Sequence, residues 1–322
     1  MPREHRILIT GASGFVGAWL QRELHERRLK QDPDLVVLTA GQGDASDWKT
    51  DITDRDQVTA LIRDCRPTAI IHLAAIAAPA DARKMPQRAW GVNFQGTMNL
   101  AYATMELAPE SRFIFVGSSE AYGASFIDAA NAPVMESAAL KPMNVYGATK
   151  AAADVLIGQL AYDGLKSIRF RPFNHTGPGQ TDAYVVSAFA KQLAEISVGA
   201  KTPRISVGNL SAFRDFLDVR DVVRAYADAA LIEDVSDMLG GVFNLSSGRS
   251  VQIQSILDRL IAVSGLDVEV EIDAQRLRGP EIVAASGDNR AALASFGWKP
   301  EIELSRTLGD VLEDWKIRVA RR

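Results

Sequence analysis

The sequence predicts an α/β architecture, a doubly wound parallel sheet with a smaller C-terminal α/β lobe. Three observations predict it. Short apolar runs alternate with amphipathic helical stretches through the first half of the chain. The first run leads straight into three regularly spaced glycines, Gly11, Gly14 and Gly17. After Pro172 the alternation gives way to a stretch rich in Gly, Pro and polar residues, and then to mixed elements. Strands buried on both faces read as near-continuous Ile, Val and Leu, and strand–helix alternation winds such sheets.

Strands are expected at 6–10, 35–39, 69–73, 112–116 and 167–172, with helices at 15–29, 54–64, 87–107 and 146–163 between them. The stretch 174–180 reads as a loop at the C-terminal end of a strand, where ligands of open α/β sheets gather. Beyond it, the pattern predicts a helix at 183–198, a strand at 204–207, a helix at 218–231 and a sheet strand at 242–245. A helix at 253–264, a strand at 268–272 and a terminal helix at 304–319 complete the chain. We divide it into a dinucleotide-binding domain, residues 1–172 plus 218–247, and a substrate-binding lobe, residues 173–217 plus 248–322. No internal repeat or low-complexity tract interrupts this order.

Composition narrows the function. The 322 residues can enclose a large core, and 47% apolar with 24% charged residues describes a soluble globular protein. A net charge of −4 offers no basic surface for nucleic acid. The longest apolar run, 69–80, is broken by His72 and too short to span a bilayer. Cys65 is the only cysteine, so no internal disulfide forms, and it reads as a structural thiol. A strand beginning near residue 6 leaves no room for a signal peptide, so a cytoplasmic location is expected.

The run Ile7-Leu8-Ile9-Thr10-Gly11-Ala12-Ser13-Gly14-Phe15-Val16-Gly17 describes a strand, a tight turn and a helix N-terminus. Missing side chains let a pyrophosphate approach the backbone, and the helix start offers N–H groups and partial positive charge. A plain glycine-rich turn would look similar, so a second motif matters. Tyr146 and Lys150 stand four residues apart, on one face of a helix. A tyrosine hydroxyl has a reference pKa of about 10, and a neighbouring ammonium should lower it. Such a tyrosine can exchange a proton with an alcohol or alkoxide. Ser118 falls just past the 112–116 strand, where its hydroxyl can reach a carbonyl oxygen facing the tyrosine.

These residues, in this order, resemble the extended short-chain dehydrogenase/reductase family. The resemblance is carried by Gly11/Gly14/Gly17, Asp51-Ile52-Thr53-Asp54, His72-Leu73-Ala74-Ala75, Asn93-x-x-Gly96-Thr97, Ser118, Tyr146/Lys150 and Arg171-Pro172-Phe173-Asn174. It implies a Rossmann-type sheet and a catalytic triad of Ser118, Tyr146 and Lys150. It also implies a dinucleotide held by Gly11, Ser13, Gly14, Phe15, Val16, Gly17, Asp51, Ile52, Leu73, Ala74, Ala75, Tyr146, Lys150 and Pro172. Asp51 would lie near the adenine, and Ala74–Ala75 along the cofactor. NAD preference usually needs an acid at the end of the second strand. Val37-Leu38-Thr39-Ala40-Gly41 has none before Asp44, so NADP(H) is favoured over NAD(H).

Two stretches narrow the resemblance further. Arg171 to Gln180 and Val207 to Val222 are similar to GDP-4-keto-6-deoxy-D-mannose reductases. The pair Arg278-Gly279-Pro280-Glu281 and Gly297-Trp298-Lys299-Pro300 is shared by those reductases and by GDP-mannose 4,6-dehydratases. Arg214 and Arg278 can each offer a planar fork to a diphosphate. Glu281 can accept from ribose hydroxyls, and Asn174 offers an amide. Arg214 has Asp215 and Asp218 nearby, so a structural ion pair is the competing reading. Lys191 cannot be separated from a solvated helix face. Ser118, Ser119 and Glu120 complete the expected substrate contacts. Glu120 is read as a polar contact, although the same position resembles the proton-abstracting carboxylate of dehydratases.

The implied activity is reduction of the C4 ketone of a GDP-4-keto-6-deoxy sugar. Alternatives are a dehydratase or sugar-nucleotide 4-epimerase on the same scaffold, or a non-catalytic dinucleotide-binding regulator. No metal is expected. A homodimer is expected, paired through segments 87–107 and 146–163.

Overall fold

The computed structural model describes residues 5–273 and 282–321 of the chain. In chain order the elements begin with β1 (Arg6–Thr10), α1 (Phe15–Lys30), β2 (Val36–Gly41), β3 (Trp48–Lys49), α2 (Arg55–Cys65) and β4 (Ala69–His72). Then come α3 (Pro79–Lys84), α4 (Pro86–Trp90), α5 (Thr97–Leu107), β5 (Arg112–Val116), α6 (Ser125–Asp128), α7 (Val145–Tyr162) and β6 (Ser167–Pro172). The remainder comprises β7 (Asn174–Thr176), α8 (Val185–Ser197), β8 (Arg204–Val207), β9 (Phe213–Asp218), α9 (Val219–Leu231) and β10 (Val242–Leu245). It ends with β11 (Ser250–Gln252), α10 (Ile253–Ser264), β12 (Glu269–Ile272), β13 (Ala284–Ala285), α11 (Arg290–Phe296) and α12 (Leu304–Ala320).

Seven parallel strands form one sheet in the order β10-β6-β5-β4-β1-β2-β3. The order reverses between β1 and β4, and the crevice at their C-terminal ends is the ligand site of such a sheet. Alternate residues of each strand feed opposite cores. Ile7, Ile9 and Phe170 pack under α1, α9 and α11, while Leu8, Ile70, Phe113 and Phe115 pack under α2, α5 and α7. A third core gathers Val186, Phe189, Leu193, Leu257, Leu260, Leu312 and Trp315 between α8, α10 and α12. Two small sheets, β11-β9-β13 with β7 on β9, and β12-β8, line that region.

Local chemistry explains the helix ends. The Asp54 carboxylate accepts from the N–H groups of Asp56 and Gln57 and starts α2, which ends on Arg66 at φ 44°. Cys65, at its last turn, is buried, and burial pushes its thiol up to about 12.

Besides short elements outside the expected set (β3, α3, α6, β11, β13 and α11), three departures bear on the site. Segment 87–107 is not one helix. It is α4, a π-helical stretch Gly91–Gly96, and α5. At its end the Thr97 hydroxyl donates to the Asn93 carbonyl at 2.7 Å, while the Asn93 side chain bonds Ile76 and Thr149. The 174–180 loop begins as a strand, β7, paired with β9. Strand β9 itself, Phe-Arg-Asp-Phe-Leu-Asp, hides from a hydropathy reading because three of its six residues are charged. Its Asp215 is buried and accepts the backbone N–H groups of Ser247, Gly248 and Gly287, so a charged residue serves as loop anchor.

One buried ion pair joins α7 to the sheet. Asp154, 1% exposed, accepts from Arg171 Nε and Nη2 at 2.9 and 2.8 Å, and from Arg169 Nη1 at 3.0 Å. Arg171 Nη1 also donates to the Tyr122 hydroxyl, which donates to Asn244. Removing one partner of a buried pair leaves an uncompensated charge, which costs about 3–5 kcal/mol. Asp154→Ala is therefore expected to lower unfolding free energy by about that amount, read as a shifted urea midpoint at unchanged slope.

Candidate active site

At the switch point the first turn comes into contact with the end of β4. Gly11 takes φ 73°, and a Cβ there would lie 2.7 Å from the Ala74 nitrogen. A Cβ at Gly17 would lie 2.5 Å from the Ala12 carbonyl oxygen. Both positions require glycine. Gly14 caps α1 without a side-chain hydrogen bond, so the helix start presents backbone alone. Ser13, Phe15 and Val16 follow the turn, and Leu73, Ala74 and Ala75 border it. Leu73 N–H donates to the Thr10 carbonyl, and Ala74 N–H to the Thr10 hydroxyl. This glycine cradle at a helix N-terminus fits a dinucleotide pyrophosphate.

A buried polar chain runs beneath it. Thr10 Oγ1 and His72 Nδ1 are 2.7 Å apart, and His72 Nε2 and Thr97 Oγ1 are 2.9 Å apart. Because the Thr97 hydroxyl donates to Asn93, it accepts from His72, which assigns the proton to Nε2 and leaves Nδ1 accepting from Thr10. Burial, with the Lys150 charge second, pushes the imidazole down to about 3.

The three catalytic candidates converge past β5. Asn144 caps α7, its Oδ1 accepting from Gly147 N–H at 2.8 Å. One turn in, the Lys150 ammonium is buried and donates to the Val116 carbonyl at 2.7 Å. Tyr146 is partly buried and hydrogen-bonded to Ser118. Ser118 Oγ also accepts from Glu120 N–H at 3.1 Å.

The electrostatics correct one expectation. The Lys150 charge does not bring Tyr146 below its ordinary value. Burial raises the phenol well above it, the Ser118 hydrogen bond opposes the rise, and Tyr184 and Glu120 add to it. Burial also lowers the Lys150 ammonium to about 8. Desolvation penalises both charged forms, so the pair does not settle as phenolate and ammonium.

The expected substrate residues divide. Ser119, Glu120, Asn174 and Arg214 line one small cleft with Phe173 and Asp215. Pro172 closes β6 beside it. Glu120 Oε2 accepts from Asn144 Nδ2 at 2.8 Å. Arg214 Nη1 donates to the carbonyls of Phe213 and Ile282, and the acids expected to pair with it are engaged elsewhere. Asp218 pairs with Arg220, and Asp215 takes the three loop amides. Lys191 pairs with Asp182 at 2.7 Å, outside this cleft. Asp51 Oδ1 accepts from Thr53 N–H and hydroxyl, and Ile52 is buried against Gly96. Arg278 and Glu281 lie outside the described residues.

The GDP-mannose 4,6 dehydratase family model matches residues 8–311. The chain belongs to that family, within the extended short-chain dehydrogenase/reductases. It is 31% identical over 315 residues to the GDP-6-deoxy-D-mannose reductase of Pseudomonas aeruginosa, covering 98% of each chain. The solved structure of RMD from Pseudomonas aeruginosa complexed with NADPH matches it at a TM-score of 0.85 and 30% identity. The match covers 98% of this chain and 99% of that one. A UDP-glucose 4-epimerase of Lactobacillus helveticus is 27% identical over 319 residues, covering 92% of this chain and 93% of the relative. The family resemblance, the Rossmann-type sheet and the enzyme class read from the sequence all hold. This family member is an NAD(P)-dependent enzyme of nucleotide-sugar chemistry.

Sequence reasoning overlooked two side chains that shape this family member's cleft. Asn144 joins the α7 cap to Glu120, and an Asn directly before a helical run is a legible cap signal. Asn93 lies in a quoted motif, but its bridge from Ile76 to Thr149 appears only once the π turn is formed.

The His72 chain has a pH signature. An unfolded imidazole binds its proton below about 6.5, whereas the folded one stays neutral to about 3. The unfolded state therefore binds more protons in that window, and stability falls as pH falls, by up to about 1.4 kcal/mol per unit. The unfolding free energy from urea melts should fall between pH 7.5 and 5.5 by about 1.4 kcal/mol more for the parent than for His72→Gln.

Proposed function

We propose that this enzyme reduces the C4 ketone of GDP-4-keto-6-deoxy-D-mannose with NAD(P)H, giving GDP-D-rhamnose or its C4 epimer GDP-6-deoxy-D-talose. The observation that carries the reading is the convergence of Tyr146 and Ser118 past β5, beside a glycine cradle for a dinucleotide. The named activity of the Pseudomonas aeruginosa relative supports the substrate.

A bound reduced nicotinamide supplies hydride to the carbonyl carbon. Tyr146 gives its proton to the carbonyl oxygen as charge develops there, and Ser118 donates a hydrogen bond to the same oxygen. A phenol held protonated by burial suits proton donation rather than abstraction. The Lys150 charge stabilises the tyrosinate that follows. Asn174 and Arg214 would take the sugar nucleotide from the cleft side, with Arg278 and Glu281 joining them. Asp51 and Ile52 would border the adenine, and Pro172 the nicotinamide end. We assign dinucleotide binding to residues 1–172 plus 218–247 and substrate binding to 173–217 plus 248–322.

NADP(H) is the favoured dinucleotide. Asp44, the first acid after β2, pairs with Lys49 at 3.1 Å, and Asp47 Oδ2 already accepts from Thr39 N–H and hydroxyl at 2.9 and 2.8 Å. The similar Pseudomonas aeruginosa structure is complexed with NADPH.

A homodimer through α5 and α7 is supported by an apolar groove lined by Phe94, Leu140, Ala151, Ala152, Val155 and Leu156, beside exposed Tyr102 and Tyr162. Among the described residues no helix is long and apolar enough to cross a membrane. We place the enzyme in the cytoplasm, in GDP-rhamnose biosynthesis.

One observation favours a second reading. Glu120 faces the cleft beside Ser119, where a dehydratase would need a base.

The decisive assay mixes the protein with the keto sugar and NADPH or NADH and follows absorbance loss. The reductase reading expects oxidation of the nicotinamide, and its absence with both ends that reading. Tyr146→Phe should lower kcat about 10²–10⁴-fold. A Glu120→Gln protein should keep most reductase turnover, whereas a dehydratase would lose nearly all of it. The pH profile is a further check. Lys150 loses its proton at about 8, so kcat/KM for reduction should hold below that pH and decline above it.

A further inference from the structure

The segment 177–180 is tied from two sides. From the dinucleotide side, Trp19 Nε1 on α1 donates to the Pro178 carbonyl at 2.8 Å. From the C-terminal helix, the Asp314 carboxylate accepts from Gly179 N–H at 2.9 Å, and Arg318 Nη1 donates to the Gln180 carbonyl at 3.0 Å. Arg318 also pairs with Asp314 at 3.2 Å and stacks its guanidinium 3.7 Å over the Trp315 ring. Trp315 Nε1 donates to Ser187 Oγ, whose hydroxyl donates to the same Gln180 carbonyl. Within the segment, Thr176 Oγ1 donates to Gln180 Oε1 at 2.7 Å and closes the turn.

Its position gives these ties a consequence. A Cβ on Gly177 would lie 3.7 Å from the Phe15 ring, and one on Gly179 4.0 Å from it. Phe15 opens α1 directly after Gly14, and Trp19 follows one turn later. The loop therefore rests on the first turn of the helix whose N-terminus faces the pyrophosphate site. Gly179 has φ 91°, a conformation that turns its N–H to α12 and that a side chain would strain.

We infer that Asp314 and Arg318 are positioning residues for the dinucleotide: through the backbone of Gly179 and Gln180 they hold the 177–180 loop against Phe15 and Trp19, and so slow coenzyme release. The inference rests on the reductase reading in one respect, that the coenzyme must leave after each turnover. The carboxylate-to-amide bond is charge-assisted and ties the C-terminal helix to the loop that rests on the nucleotide-binding helix.

The test uses the full chain and NADPH alone, with no sugar present. Release is followed by stopped-flow after displacement with excess NADP, and hydrogen exchange of residues 177–180 is measured in the protein without coenzyme. Asp314→Ala should speed release about ten- to hundredfold, the loss of one hydrogen bond to a charged group, and should raise exchange across 177–180. Asp314→Asn keeps a neutral acceptor for Gly179, about half as strong, and should speed release only about three- to tenfold. Arg318→Ala, which spares the Gly179 bond, should accelerate release less than Asp314→Ala. Glu313→Ala, one position away, should change neither readout. Release at the parent rate in Asp314→Ala with raised exchange overturns the proposal, as does equal acceleration in Asp314→Asn and Asp314→Ala. If Asp314→Ala does not fold, an unchanged rate in Arg318→Ala overturns it. Because no keto sugar takes part, this result and the outcome of the reduction assay are read independently.

Discussion

One buried cation organises the cleft. The Lys150 ammonium lies almost wholly out of water and donates to the Val116 carbonyl at 2.7 Å. A lysine in that position must be satisfied or neutralised, because an unpaired buried charge is costly. Its bond draws the first turn of α7 onto the C-terminal end of β5. That brings Tyr146 against Ser118, two residues beyond Val116. The same helix is fixed at its start by the Asn144 cap and along its length by Asp154 on Arg169 and Arg171. Thr149 receives the Asn93 amide and donates to the Tyr146 carbonyl. The face of α7 that carries Tyr146 and Lys150 is thus held at its cap, its first turn and its middle.

The second constraint is the space left by missing side chains. Gly11 and Gly17 allow the β1–α1 turn to touch Ala74 and pack on Ala12, and Gly96 accepts Ile52. Those approaches close the crevice where the strand order reverses. Under it runs the alternating donor–acceptor chain from Ala74 through Thr10, His72 and Thr97 to Asn93. A neutral histidine with one donor and one acceptor nitrogen completes that chain, and a doubly protonated one cannot. The polar network therefore couples the backbone facing the cofactor to the π turn that orients Asn93.

Much of this is legible in the residues themselves. Strands β1, β2, β4, β5 and β10 of the large sheet come through because they are largely buried and their residues are mostly apolar. The glycine turn, Ser118 and the Tyr146/Lys150 pair are legible because each is a residue type at a recognisable spacing next to a strand or on a helix. The obscure elements share a cause. β9 carries charges that serve as loop anchors, β3 has two residues, and the π turn depends on contacts from Ile76 and Thr149. The Arg214 neighbours mislead for a similar reason, since Asp215 and Asp218 face other partners in three dimensions.

The sequence alone determined the parallel α/β sheet, the glycine turn after β1 and the placing of Tyr146 and Lys150 one helical turn apart, because those follow from period, glycine placement and helix spacing. Only the tertiary structure decided the direction of the Tyr146 and Lys150 shifts. Their spacing predicts a mutual charge effect, but burial depth sets how much each charged form is penalised, and depth depends on what packs above them. It likewise decided that Glu120 is held by Asn144 and that the last helix reaches the 177–180 loop through Asp314. Contacts between residues so far apart in the chain exist only once the sheet and its helices have closed.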